Sequence, residues 1–219
     1  MTTTLEPTSQ PPKQQLSLGR WLFVGLLIAL IGFFGVRVIL GQPLFGTPAL
    51  HGFELDNQPP VPNFTLTAHT GDPFALYDMR DRVVLLYFGY TYCPDVCPVT
   101  LAVLQNACND LPHSLQDDVQ IIMVTVDPER DTPAVLSDYL AHFDDSFLGL
   151  TGTEDEIAAA GAPIGIFSEQ VTIEGVDGYF IDHTATVAVV DKAGRLRTVY
   201  PFNMEWENIA ADLKVLARE

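Results

Sequence analysis

Six consecutive apolar residues, Val83-Val84-Leu85-Leu86-Tyr87-Phe88, constrain this fold more than any other stretch of the chain. Successive side chains of a strand point to opposite faces, so a half-solvated strand alternates polar and apolar residues. An unbroken run reads instead as a central strand covered on both faces, which takes helices on the two sides of a sheet. A second buried strand, Val119 to Val126, ends at Asp127-Pro128. Between them, Thr100 to Asp110 places Leu101, Leu104 and Cys108 on one side of a helix. Upstream, Phe64 to Thr67 and Pro73 to Leu76 flank His69-Thr70-Gly71-Asp72 and read as a hairpin. Downstream, Thr132-Pro133 is an N-cap followed by a proline suited to the first helical position, opening a helix to about Phe143. Thr153 and Glu156 form a capping box for a short helix. Strands at Ala185 to Val190 and Leu196 to Tyr200 follow, and Asn203 is expected to cap a closing helix to about Arg218. This order describes an α/β domain with a mixed sheet flanked by helices.

The 219 residues leave room for one such domain and appendages. Trp21 to Val36 carries no charge, and after Arg37 the apolar run resumes as Val38-Ile39-Leu40. About 20 such residues are enough for a helix to cross a bilayer. A cleavable signal peptide would show a shorter apolar run and a small-residue cleavage site, for which Thr47-Pro48-Ala49 is a poor match. The expected organisation is a disordered tail over 1–19, a transmembrane helix over 20–40, a proline-rich extended tether over 41–62 and the folded domain over 63–219. Lys13 and Arg20 precede the span, and Arg37 alone stands at its far end. The positive-inside rule then puts the tail in the cytoplasm and the domain outside it. Beyond residue 40 the net charge is −19, which excludes nucleic acid as a partner and favours basic protein surfaces.

The chain holds only three cysteines, and two of them, Cys93 and Cys97, follow the first buried strand directly. A disulfide-stapled fold uses more, so the pair reads as functional. If a helix opens at Pro94, the i, i+4 spacing puts both sulfurs on one face. Cys93 then stands at the helix N-terminus, where the macrodipole favours its thiolate and Asp95 opposes it. Two convergent thiols can close a disulfide, pass electrons or hold a soft metal ion. A thioredoxin-like fold carries its redox dithiol at this place, although usually with two intervening residues rather than three. In such a fold the loop entering the strand Ala185 to Val190 lies beside the dithiol, and that loop carries Asp182-His183. His183 is therefore a candidate third ligand. A Cys2His set suits Cu(I) and also accommodates Cu(II), whereas zinc prefers a fourth donor. Asp182 is expected to orient the imidazole or shape docking. Cys108 reads as a buried helix residue, and His51, His69, His113 and His142 as solvated polar residues. Asp127, Arg130 and Asp131 read as turn and cap chemistry, with Asp127 accepting backbone hydrogen bonds, or alternatively as a partner surface.

Three blocks, Gly89-Tyr90-Thr91-Tyr92-Cys93-Pro94-Asp95-Val96-Cys97-Pro98, Val126-Asp127-Pro128-Glu129-Arg130-Asp131-Thr132-Pro133 and Tyr179-Phe180-Ile181-Asp182-His183-Thr184, together resemble the signatures of the Sco family in order and spacing. The resemblance runs from about residue 60 to 218. It implies a membrane-anchored, thioredoxin-like copper protein outside the cytoplasm that helps assemble the binuclear copper site of cytochrome c oxidase subunit II. Cys93, Cys97 and His183 match the family's copper ligands, and Asp182 matches the acidic neighbour of the histidine. Subunit II is then the copper acceptor, with a periplasmic copper donor or thiol reductase as a further partner. The resemblance also implies thiol–disulfide activity at Cys93 and Cys97, and the alternative reading makes that activity, in redox homeostasis, the main one. Tyr92 departs from the histidine or other polar residue common in relatives and leaves the ligand set intact.

Overall fold

In the computed structural model the described residues are 18–39, 49–172, 175 and 178–219, with backbone alone at 18, 20 and 37–39. They fall in two units, one ending at Pro48 and one running from Ala49 to Glu219. In the first, α1 spans Leu18–Ile39 and exposes apolar side chains all round, Trp21, Phe23, Ile28 and Ile31 among them. Among the described residues no helix is long and apolar enough to cross a membrane. The described side chains of α1 end at Val36, whereas the apolar sequence continues to Leu40. Residues 1–17 of the expected disordered tail (1–19), Leu40 at the end of the expected span and residues 41–48 of the expected tether (41–62) lie outside the described residues.

The second unit runs β1 (Phe53–Glu54), β2 (Thr65–Ala68), β3 (Pro73–Ala75), β4 (Val83–Gly89), α2 (Val96–Asn109), α3 (His113–Gln116), β5 (Val119–Thr125), α4 (Pro133–Leu140), β6 (Leu148–Thr151), α5 (Glu154–Gly161), β7 (Ser168–Val171), β8 (Phe180–His183), β9 (Val187–Val190), β10 (Leu196–Tyr200) and α6 (Trp206–Leu216). One eight-stranded sheet has the order β1-β10-β9-β4-β5-β6-β2-β3, and β7 pairs with β8 in a separate ribbon. The strands β4, β5 and β6 are parallel, and the other pairs are antiparallel. Every residue of β4 is buried. Since consecutive residues face opposite sides, both faces of the sheet are covered there, as the apolar run predicts. The helix α2 packs on α6, α4 on β6 and α5 on β2.

The expected caps at Thr132 and Thr153 form: Val135 N donates to Thr132 Oγ1 at 3.4 Å, and Thr153 and Glu156 close a reciprocal capping box. Asn203 does not cap α6. It sits at φ +69, and the helix opens three residues later, after Glu205. The segment expected as tether up to residue 62 enters the sheet through β1, which pairs with β10. A buried carboxylate on α6 holds it there: Asp212 accepts from His51 N at 2.9 Å and Gly52 N at 3.1 Å, and its oxygen lies 2.7 Å from His51 Nδ1.

Candidate metal centre

The site grows from the carboxyl ends of β4 and β5, where open α/β sheets place their ligands. At the end of β4, a Cβ on Gly89 would stand 2.7 Å from the Tyr87 ring and 3.0 Å from Cys97 Sγ. Only glycine lets the strand approach the thiol this closely. The chain then turns, with Cys93 N donating to Tyr90 O at 3.3 Å. The helix α2 opens at Val96 rather than Pro94, so Cys97, not Cys93, is in the first helical turn. Asp95 at the N-cap makes no side-chain cap, and the sulfur of Cys93 takes that role by accepting from Cys97 N at 3.4 Å. Pro94 lies before the helix, and Pro98 occupies its first turn, where a missing N–H costs nothing.

Cys97 is wholly buried and Cys93 half-buried. Burial pushes the Cys97 thiol up to about 12, only partly countered by Tyr87 and the Tyr90 backbone. The macrodipole at the helix start thus loses to desolvation, and Cys97 is protonated at neutral pH. His183 closes the group: its Nε2 lies 3.6 Å from Cys97 Sγ, and the three candidate donor atoms lie within 4.8 Å of one another. Donors sharing one ion at about 2.0–2.3 Å stand no more than about 4.6 Å apart, so the cluster needs little adjustment to hold one. Burial lowers the pKa of His183, leaving it neutral at pH 7. Its Nδ1 faces Thr184 O at 3.3 Å, and a carbonyl can only accept, so the proton belongs on Nδ1 and the lone pair of Nε2 points at the thiol. Tyr87 and Tyr90 bracket the imidazole edge-on, with ring centroids at 6.2 and 5.9 Å.

The histidine is not in a loop entering β9, as expected, but is the last residue of β8, paired with Ser168 across the ribbon. Asp182, expected to orient the ring, is exposed, and Thr184 O holds the ring nitrogen instead. Cys108 is half-buried on α2, with its thiol pushed up to about 12 by burial and then by Asp144, and it is no member of the donor group. The remaining histidines are bonded rather than merely solvated. Gly149 N donates to His69 Nδ1 at 2.9 Å, while the Nδ1 atoms of His113 and His142 lie 3.1 Å from Gln116 Oε1 and 2.7 Å from Asp138 O.

The block after β5 does more than turn the chain. Asp131, fully buried, accepts from Thr91 N at 3.0 Å, Thr91 Oγ1 at 2.6 Å and Thr125 Oγ1 at 2.6 Å, tying the cysteine loop to β5. Burial raises its pKa, and the threonine bonds partly restrain the rise. The carboxylate of Asp127 accepts from side chains rather than backbone: Tyr179 OH at 2.9 Å and Arg130 Nε. These partners, with Tyr87 and Tyr90, escape a search of the sequence for ligand types. The available signal was the recurrence of tyrosines in both ligand-bearing blocks.

This arrangement places the chain among proteins of known kind. The SCO1/SenC family model matches residues 54–218. A SCO2-like protein of Rickettsia prowazekii is 37% identical over 133 residues, covering 60% of this chain and 64% of that one. The structure of Bradyrhizobium japonicum ScoI with copper bound aligns at a TM-score of 0.65 and 34% identity, over 71% of this chain and 98% of that one. Apo Sco1 from Thermus thermophilus aligns at 0.69 and 40% identity, over 78% and 98%. The chain spans about two thirds of the length of the first curated relatives it matches, 67% and 64%. With its mixed thioredoxin-like sheet and its Cys-Cys-His cluster, the chain belongs to the SCO1/SenC family.

Proposed function

We propose that the domain carries copper at Cys93, Cys97 and His183 and supports assembly of cytochrome c oxidase, passing the ion to the copper site of subunit II. The convergence of two sulfurs and one imidazole nitrogen within 4.8 Å carries this reading. Two thiols and a neutral imidazole are a soft donor set of the low coordination number that Cu(I) favours, and nitrogen–sulfur donors also serve Cu(II). Copper is cargo here, taken from a periplasmic donor and released by exchange onto the acceptor's own ligands. Cys93, half-buried, is the donor an incoming ligand reaches first. The helix α1, together with the apolar sequence through Leu40, anchors the chain as a single span with the domain outside the cytoplasm. Its apolar side chains face outward on all sides, a surface that water does not favour and lipid does.

One observation favours a thiol–disulfide activity beside transport: an accessible sulfur stands next to a buried one. The Cys93 thiolate attacks a substrate disulfide, forming a mixed disulfide as one substrate thiolate leaves. Cys97, giving up its proton, then attacks the Cys93 sulfur and releases the second substrate thiol. The pair ends oxidised and the substrate reduced by two electrons.

The test is a titration of the reduced full chain, purified in detergent, with Cu(I) against a chromophoric chelator. One copper per chain, held more tightly than by His183→Ala, is expected. Equal retention by the variant would remove the three-donor site.

A further inference from the structure

The block Val126–Pro133 contributes no donor to the cluster, yet one of its side chains touches both loops that do. The Arg130 guanidinium carbon lies 3.8 Å from the centroid of the Tyr179 ring, 4.8 Å from that of Tyr92 and 5.8 Å from that of Tyr90. Its Nη1 donates to Tyr179 O at 3.1 Å, and its Nε donates to Asp127, whose other oxygen accepts from Tyr179 OH at 2.9 Å. Tyr179 is thus held by its ring, its carbonyl and its hydroxyl at once. It directly precedes β8, the strand that ends in His183. On the opposite side, Tyr90 accepts from Ile181 N at 3.4 Å through its hydroxyl and sets its ring edge-on to His183.

The need for such a clasp follows from the topology. Cys93 stands in the loop that follows the central strand and Cys97 in the first turn of α2, whereas among the described residues β8 pairs only with β7 and makes no ladder to the eight-stranded sheet. Beyond the three-residue link from His183 to β9, where β8 stands relative to the cysteine loop is set by side chains. We propose that Arg130 is a positioning residue for the metal centre: by stacking between Tyr179 of the histidine segment and Tyr92 of the cysteine loop, it holds His183 within bonding range of an ion on Cys93 and Cys97. The inference rests on the copper reading above. A guanidinium suits the task because it is planar, stacks on aromatic faces and donates in its own plane at the same time. A lysine keeps the charge and loses the plane.

That difference supplies the test. Reduced full chain in detergent is titrated with Cu(II), reading affinity by competition, the sulfur-to-copper absorption bands and the nitrogen couplings in the electron paramagnetic resonance spectrum. Arg130→Lys is expected to bind about tenfold more weakly, a cost typical of groups that orient metal ligands. Part of its copper is expected to lose the nitrogen coupling and match His183→Ala. The Cys93–Cys97 reduction potential is expected to stay at the wild-type value. Tyr92→Leu, at an exposed ring, is expected to shift the spectrum in the same direction by a smaller amount, and it carries the test if Arg130→Lys does not fold. Wild-type affinity with intact nitrogen coupling in the folded variant overturns the proposal alone, even if its melting temperature falls. A wild-type chain that binds copper without His183 overturns both the proposal and the reading it rests on.

Discussion

The two halves of the donor cluster are mounted differently. The sulfurs are mounted on or tied to the best-buried part of the molecule: β4 is covered on both faces, Cys97 is wholly buried, and Asp131 locks the loop that carries half-buried Cys93 to β5. The nitrogen belongs to a two-stranded ribbon that the main sheet does not include. Close packing makes the dithiol geometry costly to disturb, whereas a ribbon joined by side chains can shift at little cost to the core. The proposed function, holding an ion and then surrendering it, would gain from such a split. Under the proposed function, the dithiol would retain its shape while His183 would set how firmly the ion is held.

The largest effect is expected on the sulfur side. Asp131→Ala leaves the Thr91 amide and two threonine hydroxyls without their acceptor in a buried place, at a cost of about 3 kcal/mol. Chemical denaturation of the full chain in detergent checks it, and a loss below about 1 kcal/mol would mean that the cysteine loop is not locked as described. A second effect comes from the Cys97 thiol, which keeps its proton up to about 12 when folded and only to its ordinary value when unfolded. Above that ordinary value, about 8.5, the unfolded state binds fewer protons, so stability falls with rising pH, by up to about 1.4 kcal/mol per unit, until about pH 12. Cys108, also pushed up to about 12, adds a slope of the same sign. Cys97→Ala is expected to flatten the fall, leaving the Cys108 share. An unchanged slope would show that Cys97 does not hold its proton in the folded state. The smallest effect concerns the Tyr87 hydroxyl, buried beside Cys97 and Thr100, near enough to temper the thiol but short of a well-formed hydrogen bond. Tyr87→Phe removes an unpaired polar atom and is expected to leave the apoprotein as stable or up to about 1 kcal/mol more so. A loss of stability would reveal a bond to the thiol.

The same division governs what could be read from residues alone. The buried strands announce themselves because an unbroken apolar run has few alternatives, and the caps at Thr132 and Thr153 follow from local chemistry. The candidate thiols were legible because cysteine is scarce in this chain, and His183 because the expected strand order and the Sco-like block set it beside them. The strand β6, Leu148-Gly149-Leu150-Thr151, is too short to show a period, and the polar β7, Ser168-Glu169-Gln170-Val171, has no apolar face to betray it. Missing that ribbon put His183 in a loop. Pro94 suits a first helical turn and so suggests a start there, but the sulfur of Cys93 caps Cys97 N only because the helix begins after it, at Val96. Nothing local marks Asp212 as a buried acceptor or ties Asp131 to the cysteine loop, since His51 lies 161 residues from the one and Thr91 lies 40 residues from the other.

Under the proposed function, His183 governs copper retention apart from the dithiol. The direct measurement is made on reduced full chain in detergent, wild type against His183→Ala, with Cu(I) affinity and the Cys93–Cys97 reduction potential determined on the same preparations. A fall in affinity of about tenfold or more, with the potential and the melting temperature unchanged, is the predicted result. Affinity and potential moving together, or neither moving, would contradict it.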